Sequence, residues 1–183
     1  MKKSINLHII ITIVFISLSS AAIAQKVYST KNGQLIFNAT GGIEKIIGVN
    51  NQVESKFVDA TGQIIFGVLI KGFKFENQLL EDHFNENYME SSKFPKADFK
   101  GYIKNSKEIN FTQDGKYTII IEGDLTIHNT TKKVKASGHV DVVKGTPTIS
   151  GEFMIRIKDY GISGLYIGDK IAADATIKLK CKY

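Results

Sequence analysis

The sequence predicts an all-β protein, an antiparallel β-barrel of roughly eight strands with one short helical insertion near the barrel mouth. Three observations carry this reading. Apolar and polar residues alternate over many short runs, as on strands with one dry and one wet face. Glycine and other turn residues punctuate the runs, while proline occurs only at Pro95 and Pro147. Only one stretch, residues 78–88, has helical spacing. Gly67, Gly72, Gly101, Gly123 and Gly138 interrupt the apolar runs and favour the strong bending of a barrel over a flat sandwich. About eight strands enclose an interior just wide enough for side chains or one small ligand.

The elements follow in order. "GQLIFNATG" is the first strand of the domain. "NQVESKFVD" and "GQIIFGVLIKGFKF" form a pair about the turn Ala60-Thr61-Gly62, and the second run is apolar on both faces, so it is expected to be covered on both sides. After the helical insertion, "KADFKG" resumes as a strand. "YTIIIEGDLTIH" places Tyr117, Ile119, Ile121, Leu125 and Ile127 on one face. "NTTK" (residues 129–132) supplies turn residues, and "KVKASGHVDV" turns Val134, Ala136, Val140 and Val142 inward, which makes a hairpin. Lys144-Gly145-Thr146-Pro147 is the next turn, followed by "SGEFMIRIK" with Phe153, Ile155 and Ile157 on one side. In the last strand, "DKIAADATIKLKCKY", Ile171, Ala173, Ala175, Ile177, Leu179, Cys181 and Tyr183 share a face.

Residues 1–24 read as a cleavable export signal. Lys2 and Lys3 precede the apolar run "IIITIVFISL", and Ala22-Ile23-Ala24 supplies the cleavage signature, with the cut after Ala24. Residues 25–183 then form one domain, in the periplasm or outside the cell. The single cysteine, Cys181, excludes an internal disulfide framework. The formal net charge is +6, and Lys2 and Lys3 belong to the signal. The remaining lysines are scattered and Arg156 is the one arginine, which argues against a nucleic-acid reader.

No catalytic or metal-binding pattern emerges. His83, His128 and His139 have no ligand spacing. His128 and His139 flank one hairpin and read as a solvent-facing pair that could meet across it. Glu122 and Asp124 share a polar outer face. There is no G-x-S-x-G elbow, no phosphate-cradling loop, and Cys181 sits on an apolar face, where a thiol is usually inert packing. No catalytic residue, metal or cofactor is expected.

What remains is an apolar surplus. Phe73, Phe75, Leu79, Leu80, Phe84, Tyr88, Met89, Phe94 and Phe99 crowd into one stretch, and Leu80, Phe84 and Tyr88 fall at i, i+4 and i+8. From spacing alone, the first reading is ordinary core: a helix packed on a sheet. The second is the roof of an apolar cavity.

"HFNENYMESSKFPKADFKG", "IEGDLTIHNTTKKV" and "KDYGI", in that order, resemble the YceI-like family of exported bacterial proteins, whose members include polyisoprenoid-binding proteins. The resemblance runs from "YSTKNGQLIF" to the last strand. It implies a lipocalin-like barrel that holds an isoprenoid chain, quinone or polyprenyl phosphate, as ligand and not as catalytic cofactor. It favours the cavity reading for Phe73, Phe75, Leu80, Phe84, Tyr88, Met89, Phe94 and Phe99. It adds Ile119, Ile121, Leu125, Phe153, Ile155 and Ile157 as inner-wall candidates. The implied partner is an amphiphilic lipid, with a transient membrane-surface contact and a homodimer left open. The competing readings are a hydrolase or isomerase using the same pocket, and a ligand-free structural or stress-response barrel. Inward small residues, Ala173, Ala175, Gly67 and Gly101, suggest a hollow interior.

Overall fold

The computed structural model describes residues 25–42 and 45–183. The expected signal, residues 1–24, lies outside the described residues. Among the described residues the strands are β1 (Val27–Thr40), β2 (Ile47–Val58), β3 (Gln63–Leu69), β4 (Lys96–Ile103), β5 (Gly115–Ile127), β6 (Thr130–Val143), β7 (Thr146–Arg156) and β8 (Ile171–Lys182), with one α-helix, α1 (Gln78–His83). Each strand pairs antiparallel with the next and β8 returns to β1, so the barrel closes in simple sequence order. Closure removes the free sheet edges.

Period-two alternation sets which side chains enter the barrel. On β5, Ile119, Ile121, Leu125 and Ile127 are buried. On the opposite face, Glu122 and Asp124 form ion pairs with Lys135 and Lys133 of β6 at 3.2 Å. β1 departs from simple alternation, because its register with β2 shifts between Thr30 and Gly33 and again before Leu35. Tyr28 therefore points inward at one end, and Gly33, Leu35, Phe37 and Ala39 at the other. Gly33 is required by close approach, since a Cβ there would lie 2.5 Å from the Cys181 sulfur.

The two ends of the barrel differ. At one end, Phe111, from the loop 104–114, lies against Tyr28 (5.8 Å between ring centroids) and Phe57 (5.6 Å). Tyr183 meets the same cluster and shares a part-buried hydrogen bond with Ser55 at 2.6 Å. That end is plugged. At the other end stand the helical insertion and the loop 161–170.

Several local expectations need correction. The β5–β6 turn is the two-residue loop His128-Asn129, not 129–132. Both residues have positive φ (49° and 56°), and Ile127 pairs directly with Thr130. Twist-matched two-residue hairpins require that geometry, and Asn tolerates it. The next turn likewise contracts to Lys144-Gly145, with Thr146 and Pro147 already in β7. β3 is buried at Ile64 and Val68 on its inner face but only partly covered on its outer face, where Ile65 is half-buried and Leu69 50% exposed, and the chain leaves the sheet through a 3-10 turn at Ile70–Gly72. There the buried Asn50 side chain donates to the Leu69 carbonyl at 2.9 Å, joining β2 to the departing chain. Ala173 is exposed, and the space beside Gly101 is filled by the Phe99 ring, whose tip lies 2.5 Å from where a Cβ would stand.

Candidate functional site

The helical insertion forms because Asn77 caps it, its Oδ1 accepting the Leu80 N–H at 2.9 Å. After α1 the backbone widens through Phe84–Tyr88, and the Met89 N–H donates to the Phe84 carbonyl at 2.9 Å. Such i→i+5 turns shift the side-chain phase. Lys74, just after β3, donates to Glu81 at 2.6 Å and ties α1 to the barrel. Phe84 is the hub of the insertion. Its ring lies 5.7 Å from Phe37, 5.4 Å from Phe73 and 4.9 Å from Phe75.

Below this aromatic roof is a cavity of about 390 Å³. Its deep wall includes Val53, Ile121, Ala136, Ile149 and Gly151, and its upper wall Phe37, Phe66, Leu125, Phe153, Ile155 and Ile177. The side chains at the mouth come from α1, its exit and the loop before β8: Asn77, Leu79, His83, Tyr88, Tyr166 and Lys170. Burial raises the Tyr88 hydroxyl pKa above its usual value, with a further push from the neighbouring Tyr166. The Tyr88 ring packs on Gly164, where a Cβ would lie 2.5 Å from its edge, so the two mouth elements touch.

Of the sequence-predicted residues, Phe73, Phe75, Leu80, Phe84, Tyr88, Met89, Phe99, Ile121, Leu125, Phe153, Ile155 and Ile157 line this cavity. Phe94 and Ile119 do not. Phe94 turns aside to His128, with ring centroids 4.1 Å apart. Ile119 faces inward and is fully buried, but one step beyond Ile121 toward the plugged end. Sequence reasoning missed Leu35, Phe37, Phe66, Ile162 and Ile167, which also line the cavity. Phe37 follows the irregular register of β1, Phe66 lies in the run apolar on both faces, and the two isoleucines sit in a loop without periodicity.

The histidines are also rearranged. The His128 side chain is 11% exposed and its Nε2 lies 2.9 Å from Glu90 Oε2, so it is not solvent-facing. His139 pairs in register with Thr118 and Ser150, well along β6 from the turn, and does not meet His128. The Glu90–His128 pair stands outside the residues lining the cavity. Cys181 is fully buried, and burial pushes its thiol up to about 12.

A family model for the YceI-like domain matches residues 26–183. No curated protein matches the sequence. Among solved structures, the chain is similar to BcnA of Burkholderia cenocepacia, with a TM-score of 0.68 at 16% identity, covering 81% of this chain and 94% of that one. A polyisoprenoid binding domain from Saccharophagus degradans gives a TM-score of 0.70 at 8% identity, covering 85% and 96%. The YceI protein of Campylobacter jejuni gives 0.55 at 14% identity, covering 100% and 99%. At these identities the likeness concerns the fold.

Proposed function

The chain belongs to the YceI-like family, and on that premise we propose that it binds an isoprenoid lipid, a quinone or polyprenyl chain, inside the barrel without chemical change. The observation that carries this reading is the cavity of about 390 Å³, walled almost wholly by hydrocarbon and open at one end. Ligand sites typically fall at roughly 300–1,000 Å³ and are mostly apolar with a few polar groups at the edge. Each Å² of apolar chain withdrawn from water contributes roughly 25 cal/mol, against the cost of ordering the chain. The structural likeness to a domain described as polyisoprenoid binding supports the same ligand class. The expected signal over residues 1–24 supports action in the periplasm or outside the cell.

A hydrolytic reading would be favoured by a histidine–carboxylate pair facing the cavity. Glu90 and His128 form such a pair but do not line it. A ligand-free barrel would be favoured by a filled interior.

Calorimetric titration with a polyprenyl phosphate and a prenyl quinone tests the proposal. Saturable binding that weakens at least tenfold in Ala136→Trp, which fills the deep wall, is the expected result, with the variant's circular dichroism unchanged. Equal binding by both proteins, or none by either, would remove the cavity from the account.

A further inference from the structure

The cavity has a floor. On β7 and its exit, Ile149, Gly151, Phe153, Ile155 and Ile157 line it at every second position. At about 3.3 Å per residue and a strand tilt near 40°, that wall measures roughly 20 Å along the barrel axis. Val53 and Ile149 line the inner end and are fully buried. Val140, in register with Ile149, is also fully buried and does not line the cavity. Beyond it stand Tyr28, Phe57, Phe111 and Tyr183, the aromatic cluster that plugs that end. A chain entering from the mouth therefore stops at Val53 and Ile149.

One step above this floor the wall is thin, because position 151 carries no side chain. A Cβ at Gly151 would find its nearest neighbours at 3.5 Å, the Ser137 carbonyl oxygen, and at 4.0 Å, the Gly138 Cα and the Ile121 Cδ1. Ile121 is itself a cavity residue, so a longer side chain at 151 would enter the cavity and not the wall. Gly138, the partner of Gly151 across the ladder, has no such room, since a Cβ there would collide with the Ser150 carbonyl.

Length and volume give similar capacities. A prenyl unit adds four main-chain bonds, about 5 Å when extended with carbon–carbon bonds near 1.5 Å, so roughly 20 Å holds about four units. A dry apolar cavity of about 150 Å³ takes the six carbons of benzene, and by that ratio this cavity takes about 16 carbons, roughly three units. We infer that the barrel is a chain-length gauge: it houses about three to four prenyl units, Gly151 leaves the room for the innermost one, and any further unit projects from the mouth. The inference rests on the proposed binding of an isoprenoid in the cavity and adds its upper limit. A unit contributes hydrophobic affinity only where it leaves water, so affinity rises with chain length until the cavity is full and then levels.

Geranyl, farnesyl, geranylgeranyl and farnesylgeranyl phosphates share one head and carry two to five units. Calorimetry on the purified protein, below their micellar concentrations, tests the gauge. Affinity should rise about tenfold from two units to three and less than about twofold from four to five. Gly151→Leu should leave geranyl phosphate unchanged and weaken geranylgeranyl phosphate about tenfold, by occupying the innermost space. Gly151→Ala, which fits without collision, should weaken geranylgeranyl phosphate about threefold with geranyl phosphate again unchanged, and it carries the test if the leucine variant fails to fold. A rise that continues undiminished from four units to five, or Gly151 variants that bind the long chain as well as before or weaken both chains equally, overturns the gauge and leaves chain binding intact. Failure of all four ligands to bind removes both.

Discussion

The Glu90 carboxylate meets the His128 imidazole at 2.9 Å, and this contact joins the exit of the helical insertion to the tip of the β5–β6 hairpin. Both residues hold positive φ, 42° and 49°. Non-glycine residues adopt that geometry only where their surroundings over-determine it. The His128 ring is further held by Phe94, and Lys93 lies 4.9 Å from the Phe94 ring centroid. The roof of the cavity is thus fastened from outside the cavity.

His128→Ala should therefore loosen the roof without disturbing the barrel. The expected cost is about 1 kcal/mol, since Glu90 is partly solvated. Hydrogen exchange should quicken over residues 84–94 and stay unchanged in β1 and β8. Uniform protection across both regions would mean that the pair fastens nothing.

Phe84 and Phe94 should separate binding from stability. Phe84→Ala removes the hub of four aromatic rings, and such truncations cost roughly 3–5 kcal/mol when buried. It should weaken lipid binding as well as lower Tm. Phe94→Ala should lower Tm alone, because that ring packs on His128 and not on the cavity. A loss of lipid affinity in Phe94→Ala would contradict this division.

Gly138 and Gly151 face each other across β6 and β7 yet should respond oppositely to a methyl group. A Cβ at Gly138 would collide with the Ser150 carbonyl, so Gly138→Ala should cost about 1–3 kcal/mol through backbone displacement. At Gly151 the nearest atom would be the Ser137 carbonyl oxygen at 3.5 Å, an ordinary contact. Gly151→Ala should be neutral or stabilise by about 0.5 kcal/mol, as strand interiors favour alanine over glycine. Chemical denaturation of the two variants reads the contrast directly.

Cys181 should resist thiol reagents at about pH 8 in the folded protein and react fully after unfolding, because the reactive species is the thiolate. Its folded pKa, about 12, lies above the ordinary 9.0. Folding therefore holds the proton. The stability linked to this group is complete below about pH 9 and lost as pH rises toward about 12. The buried Tyr183 hydroxyl, raised chiefly by desolvation, acts in the same direction. Urea denaturation across that window should show falling stability, and a flat profile would contradict the burial of both groups.

Alternation and turn residues made the barrel legible, since β5, β6 and β7 each keep one period throughout and β8 keeps it from Ala175 to Cys181. Helical spacing grouped Leu80, Phe84 and Tyr88, but read alone it favoured ordinary core, and it was the resemblance that pointed to a cavity. Ile119 was misplaced because period two reports the face of a strand and not the depth along the barrel axis. Phe94 was misplaced because nothing local announces that a ring before a proline will cross to a hairpin histidine. Phe37 was hidden by the β1 irregularities, which reverse the alternation set by Tyr28. The tight turn at His128-Asn129 was obscured by the polar residues after it, which already belong to β6.

Native mass spectrometry of the protein, purified without detergent and followed by organic extraction, tests the central claim most directly. The account expects a bound mass that leaves on extraction and identifies as an isoprenoid. A clean unliganded mass, from a protein that also refuses added prenyl quinones and prenyl phosphates, would contradict it.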